Sequence, residues 1–117
     1  MGEEIVVTAF ISVMLAFLAK RIRIYRRVCS LERALRFRIS VKMRMNVIEY
    51  SDERGVILVG YSEPPLFSRF SYQMHYPKML NWENSEKEMS KEDCAEIMRR
   101  ILMWSEARQE KIYFYPE

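Results

Sequence analysis

Side chains that could carry out chemistry are few in this chain, and most of them stand alone. His75 is the only histidine among 117 residues. It falls on the polar side of a predicted strand, between Met74 and Tyr76, and nothing nearby supplies the partner that a catalytic base needs. A lone histidine in such a position is typical of a protein surface. The sequence therefore predicts neither a catalytic dyad nor a histidine-based metal site.

Cysteine and glycine usage points the same way. Cys29 and Cys94 are far apart and lack metal-ligand spacing. Two cysteines are also too few for the disulfide framework of a small secreted domain, which favours a reducing compartment. The three glycines form no phosphate-binding loop. We therefore expect a non-enzymatic protein with no catalytic residue, no metal and no cofactor.

Two groups of carboxylates remain to be explained. Asp52 and Glu53 fall in a predicted hairpin turn, and turn chemistry accounts for them. The larger group lacks the ligand spacing of a calcium loop and is typical of a solvated surface. Four of its members are also candidates for binding a basic partner, and we call these four the acidic rim. The larger group consists of Asp93, Glu96 and the acidic rim, which is Glu83, Glu86, Glu88 and Glu92.

Trp82 directly precedes the acidic rim, in a loop ahead of a predicted helix. An aromatic side chain in such a loop either covers the edge of the core or stands exposed as a binding anchor. Because a core this small benefits from burying an indole, we predict that Trp82 covers the core. Its position beside Glu83 keeps it a candidate for partner binding as well.

Basic residues are concentrated in one stretch of the chain. Residues 20–44 contain ten bases and one acid, whereas residues 45–117 contain nine bases and thirteen acids. Four of these bases alternate along a predicted strand, at Arg36, Arg38, Lys42 and Arg44. That face lacks the interleaved aromatic residues that stack on bases. The net acidic remainder of the domain also argues against nucleic acid as a partner.

The N-terminal segment is the most apolar part of the sequence. Ile5–Ala19, which we call the apolar run, is uncharged over fifteen residues. As a helix it spans about 22 Å, against about 30 Å of bilayer hydrocarbon, and snorkelling bases narrow that gap. We predict a membrane anchor through residues 5–19. Five bases that follow would lie at anionic lipid headgroups: Lys20, Arg21, Arg23, Arg26 and Arg27.

Two other interpretations of the apolar run stay open. It can be a core or oligomerisation helix of a cytoplasmic protein, or a targeting segment. A cleavable signal peptide is disfavoured, because the bases follow the apolar run instead of preceding it. A small soluble domain rarely buries a helix that is apolar all round. If the run does span a membrane, the bases after it place the rest of the chain in the cytoplasm.

Alternation of apolar and polar residues predicts three strands after the N-terminal helix. The clearest runs from Leu35 to Val47 with period two, and its parity shifts at Ile48, which indicates a bulge or a strand end. Turn residues 51–55 then predict an antiparallel return over Val56–Tyr61. A third strand follows over Phe70–Tyr76.

A helix and a closing strand complete the predicted domain. Ser90 is a good N-cap, with Asp93 three residues further on. One apolar face should lie on the sheet, formed by Cys94, Ile97, Met98, Ile101, Trp104 and Ser105. Lys111–Tyr115 predicts the last strand. The expected fold is α+β: a small, mainly antiparallel sheet in the order β-β-β-α-β, covered by one helix and preceded by an apolar helix. Residues 1–33 form the helical part and residues 34–117 the domain.

The C-terminal part of the chain, from about Ile48, resembles the bacterial immunity protein 74 family, partners of polymorphic toxins. The resemblance is carried by the strand ending at Tyr76, by Trp82-Glu83 within residues 79–83, and by the helix start over residues 88–93. Ile97 and Ile101 fall where the helix of that family has recurrent isoleucines. The resemblance implies a small non-catalytic α+β protein that binds and neutralises a toxin domain.

Together these features predict a non-enzymatic binding protein of the immunity type. The apolar run would anchor it in the bacterial inner membrane, with its domain in the cytoplasm. An alternative is an accessory single-span subunit of a membrane complex, whose apolar helix packs against other membrane helices. The partner is accordingly a toxin domain in the first case and a membrane subunit in the second.

Overall fold

The computed structural model of the protein describes residues 2–65, 68–75, 82–83 and 89–115. These residues form two helices and five strands, which confirms the α+β class. In chain order they are α1 (Gly2–Leu35), β1 (Phe37–Lys42), β2 (Val47–Asp52), β3 (Gly55–Gly60), β4 (Tyr72–His75), α2 (Lys91–Ala107) and β5 (Ile112–Tyr115).

The strands form two small sheets instead of one. β1, β2 and β3 make an antiparallel sheet in that order, whereas β4 and β5 pair in parallel. A single antiparallel bridge between Ser62 and Gln73 connects the chain after β3 to β4. The parallel pairing is possible because α2 lies between β4 and β5 in the chain and returns it to the starting end of the sheet.

The long strand predicted over Leu35–Val47 is wrong in its second half. The chain turns at residues 43–46, where Asn46 adopts a left-handed backbone conformation with φ of 52°. Val41 therefore pairs with Ile48 across a hairpin, and both point to the same face. The change of parity at Ile48 marks this turn and not a bulge. Met43, expected in the core, is 77% exposed.

α2 covers the inner face of the three-stranded sheet, as predicted. Its buried residues are the six expected from the sequence: Cys94, Ile97, Met98, Ile101, Trp104 and Ser105. They pack with sheet residues such as Ile48, Tyr50 and Ile57. Ser90 is the N-cap, and its hydroxyl oxygen accepts a 3.1 Å hydrogen bond from the Asp93 N–H. Burial of this apolar stripe is the main contact that holds helix and sheet together.

α1 behaves differently along its length. Val28, Leu31 and Leu35, spaced three and four residues apart, pack against the core. Near this docked end, the Glu32 carboxylate approaches the Ile39 N–H at 3.4 Å, beside the β1 edge. The apolar run makes no such contact, and each of its residues is exposed. α1 therefore projects from the domain, whose longest dimension with the helix is 68 Å.

Candidate functional site

Trp82 lies against the turn between β2 and β3. Gly55 has a backbone φ of 148°, and a Cβ at this residue would lie 3.2 Å from the Trp82 ring. The Glu83 N–H donates a 2.7 Å hydrogen bond to the Val56 carbonyl, which fixes the two residues beside the strand. Trp82 is half-buried and packs at the margin of the core. It thus covers part of the core, as predicted, and keeps part of the indole accessible.

Arg54 joins Trp82 to the first turn of α2. Its guanidinium carbon lies 5.3 Å from the centre of the Trp82 ring, a cation–π geometry. The same guanidinium forms ion pairs with Asp93 at 3.0 Å and with Glu96 at 3.6 Å. The β2–β3 turn, Trp82 and the start of α2 therefore meet on one surface. We call this surface, made of Arg54, Trp82, Glu83, Glu92 and Asp93, the Trp82 patch.

A buried carboxylate supports the Trp82 patch from beneath. Asp52 opposes Phe37 across the sheet, and its side chain is only 2% exposed. Its Oδ2 accepts hydrogen bonds of 2.7 Å from the Tyr50 hydroxyl and 2.7 Å from Arg54 Nη2. Arg100 on α2 donates a 2.8 Å hydrogen bond to the Tyr50 hydroxyl oxygen and pairs with Glu96 at 2.7 Å. These charge-assisted bonds tie the turn to the helix.

The pKa values of this network follow from its geometry. Burial raises the pKa of the Asp52 carboxyl, but hydrogen bonds from Arg54 and Tyr50 outweigh burial and hold the pKa below its usual value. Burial raises the pKa of the Tyr50 hydroxyl, and its hydrogen bond to Asp52 raises it further. At neutral pH Asp52 is therefore ionised and Tyr50 is protonated. The network is a set of satisfied structural ion pairs.

The structure brings together only part of the predicted partner-binding set. Glu83 and Glu92 are both exposed, and Glu92 lies in the first turn of α2 beside Asp93. Glu86 and Glu88 lie outside the described residues, as does the segment 76–81 that contributes to the family resemblance. Sequence reasoning missed Arg54 and Arg100, although an aspartate two residues before an arginine in a predicted turn is a recognisable signal for their pairing.

The predicted membrane-surface residues lie together along the middle of α1. Lys20, Arg21, Arg23, Arg26 and Arg27 are all exposed. Arg21 lies 5.2 Å from the centre of the Phe17 ring, at the end of the apolar run. α1 is long and apolar enough to cross a membrane, and none of its most apolar window is buried against the protein. Ile5 is 70% exposed and Phe10 is 64% exposed.

Two remaining features bear on chemistry. Within the described residues, no group of three or more His, Cys, Asp or Glu side chains could hold a metal ion. Cys29 is half-buried and Cys94 is buried, and the two do not form a disulfide. His75 is in β4, as expected from the alternation of residues around it.

Comparisons of the chain with protein-family models, with curated proteins and with solved structures found no match. The resemblance to the immunity protein 74 family therefore depends on the sequence residues named for it.

Proposed function

We propose that this chain is a membrane-tethered binding protein without enzymatic activity, in which α1 crosses a membrane and the α+β domain binds a protein partner. The observation that carries the proposal is the exposure of the apolar run. Fifteen consecutive uncharged residues are all exposed, and none of them packs against the core. Exposing this much apolar surface to water is unfavourable, whereas a bilayer or the helices of another membrane protein would cover it.

Charge supports a cytoplasmic location of the domain. The bases follow the apolar run directly, and the positive-inside rule retains such a flank on the cytoplasmic side. The resemblance to the immunity protein 74 family adds a toxin domain as the partner, and in a bacterium the tether would lie in the inner membrane. In that setting the tether would hold the domain where a toxin enters the cytoplasm. An accessory single-span subunit of a membrane complex is the alternative.

The tether is tested by placing a charge in the apolar run of the full chain. Val13→Arg puts an arginine near the middle of the run, where its insertion costs about 2.5–3.5 kcal/mol. We expect the wild type to resist carbonate extraction from membranes and the variant to shift to the soluble fraction. Met43→Arg, at an exposed apolar residue of the β1–β2 turn, is the matched control and should remain with the membrane. A wild type that carbonate or salt releases would overturn the proposal.

The Trp82 patch is the surface where we expect the partner to bind. It combines a partly accessible indole with the exposed carboxylates of Glu83 and Glu92, a composition suited to a basic protein. Glu83→Lys with Glu92→Lys should slow association with a co-expressed toxin domain about tenfold and leave the fold intact. Glu106→Lys, an exposed acid at the other end of α2, is the control.

Protection of cells from the product of an adjacent toxin gene is the direct assay of the partner class. A stoichiometric complex with that product, lost in the double variant and retained in the control, supports the immunity assignment. Recovery of the chain with polytopic membrane proteins in place of a toxin would favour the accessory-subunit alternative. Turnover of a substrate by the purified domain would contradict both.

A further inference from the structure

A crevice with basic walls separates α1 from the end of α2. It has a volume of about 340 Å³ and is lined by Lys20, Arg23, Ile24, Arg27 and Gln109. Three of these residues are bases on one face of α1, at spacings of three and four residues. Gln109 comes from the α2–β5 turn, where its backbone is left-handed with φ of 59°. We call this site the basic crevice. No carboxylate is among its lining residues in the described part of the chain.

The carboxylate next to Gln109 in the chain is paired through one of its oxygens. Glu110 follows Gln109, and its Oε1 accepts a 3.0 Å hydrogen bond from Arg108 Nε. Its charge is therefore largely offset by the neighbouring guanidinium. The field within the basic crevice is accordingly positive, and a cavity with one sign of charge attracts an anion.

The position of the basic crevice along α1, just beyond the apolar run, indicates which anion it binds. Lys20, Arg23 and Arg27 lie about 1.5, 6 and 12 Å beyond Ala19 along the helix axis. If the apolar run, about 22 Å long, is centred in a hydrocarbon layer of about 30 Å, it ends about 4 Å short of the edge of that layer. Arg23 and Arg27 then lie roughly 2 and 8 Å beyond the edge, within the headgroup layer of roughly 5–8 Å, and Lys20 reaches that layer by snorkelling. The α2–β5 turn lies opposite the same stretch of helix, so it faces the membrane surface.

We infer that the basic crevice binds the phosphate group of an anionic phospholipid. Lys20, Arg23 and Arg27 form one wall of the crevice and supply its positive charge, and the α2–β5 turn forms the opposite wall. This inference rests on the proposed membrane tether. The bound headgroup fixes how the domain is held against the membrane, with the α2–β5 turn at the surface. Simple attraction of all the bases to an acidic membrane would instead give no preference among them.

Two adjacent arginines provide the test. Arg27 lines the basic crevice, whereas Arg26, one residue away and at nearly the same depth, does not. The full chain is incorporated into nanodiscs of phosphatidylcholine that contain a dansyl-labelled phosphatidylglycerol, and energy transfer from its tryptophans reports the lipid bound nearby. Trp104 can serve as the donor, since it lies in the last turn of α2, close in the chain to Gln109, which lines the basic crevice.

We expect Arg27→Gln to weaken enrichment of the labelled lipid about fivefold, because it removes one hydrogen bond from the crevice to the lipid phosphate. Arg26→Gln should change it less than twofold. Equal effects of the two variants would overturn the inference and leave only general surface attraction. Efficient competition by inorganic phosphate at equal concentration would overturn the choice of a lipid and assign the crevice to a soluble phosphate.

A second measurement tests the orientation of the domain. In a Cys29→Ser background, a dye at Gln109→Cys should be quenched by lipids that carry a headgroup quencher. A dye at Glu53→Cys should not be, because Glu53 lines a crevice with Ala34 and Leu35 at the far end of α1. Equal quenching at both would contradict the orientation. If carbonate extracts the wild type, the tether itself fails and the inference falls with it, whereas a resistant chain without lipid preference refutes only the basic crevice.

Discussion

The two helices of this protein differ in how their apolar residues are arranged and in what covers them. In α2 the apolar residues recur every three or four positions and form one stripe, which the sheet buries. In the first half of α1 they occupy every side of the helix, and no residue of α1 is fully buried. One apolar stripe can be buried against one neighbouring sheet or helix, whereas a helix that is apolar on all sides must be surrounded by other apolar groups. The comparison indicates that α2 is stabilised by packing within the domain, whereas the apolar run needs apolar surroundings outside the domain.

The second half of α1 is amphipathic, as α2 is. There Val28, Leu31 and Leu35 form a short stripe that packs on the core, while bases occupy other faces. One continuous helix thus changes from an all-round apolar segment to an amphipathic one within about two turns. This continuity couples the position of the domain to the position of the apolar run.

The largest loss of stability should come from a truncation in α2, and the equivalent truncation in the apolar run of α1 should have almost no effect. Trp104→Ala in α2 removes a side chain that is 1% exposed, and such a change costs about 3–5 kcal/mol. Phe10→Ala in the apolar run should change the stability of the domain by less than about 0.5 kcal/mol. Chemical unfolding of the full chain in mild detergent measures both. A similar loss for the two variants would mean that the apolar run packs on the domain.

The second largest loss of stability should come from breaking the charge network that holds α2 to the β2–β3 turn. Asp52→Asn keeps the shape but removes the charge that Arg54 and Tyr50 donate to, and we expect a loss of about 1–3 kcal/mol. Since hydrogen bonding lowers the pKa of folded Asp52, its contribution is full above the unfolded pKa of about 3.9 and disappears as the pH falls through the folded pKa. Wild type should therefore lose stability below about pH 4.

Asp52→Asn provides the control for that pH dependence. The variant should be less stable than wild type at neutral pH, and the difference should shrink in acid. Unfolding curves at several pH values measure it. A difference that is independent of pH would indicate that packing and not the charge of Asp52 is responsible.

Trp82→Ala tests the side chain that covers the margin of the core beside the β2–β3 turn. Because Trp82 is half-buried, we expect a loss of about 1–2 kcal/mol, less than for Trp104. The melting temperature of the variant decides the point. A loss of stability as large as that of Trp104→Ala would mean that Trp82 is a full core residue. An unchanged stability would mean that Trp82 is only a surface anchor.

The smallest expected effect concerns the docked end of α1. Leu31→Ala should cost about 1 kcal/mol, because its side chain is half-buried against the core. Arg33→Ala, at an exposed position of the same helix, should be nearly neutral. A stable domain with an unchanged melting temperature after Leu31→Ala would mean that α1 is joined to the domain only by the chain.

Local signals in the sequence determined much of this fold. The stripe of α2 was predicted residue by residue, because helical periodicity depends only on spacing. The cap at Ser90 and the turn before Gly55 followed from the chemistry of those residues. The composition of the apolar run likewise determined that it would form a helix long enough to approach the span of a bilayer.

Only the tertiary structure decided where the alternating stretch turns and which strands pair. Met43 and Met45 fit the period of a strand, but β1 ends at Lys42 and the chain reverses through residues 43–46, with a left-handed backbone at Asn46, which leaves both methionines exposed. The parallel pairing of β4 with β5 depends on α2 returning the chain, which no local pattern encodes. Arg54 became central for the same physical reason: its ion pairs with Asp93 and Glu96 join residues that are adjacent only after the sheet and helix have packed.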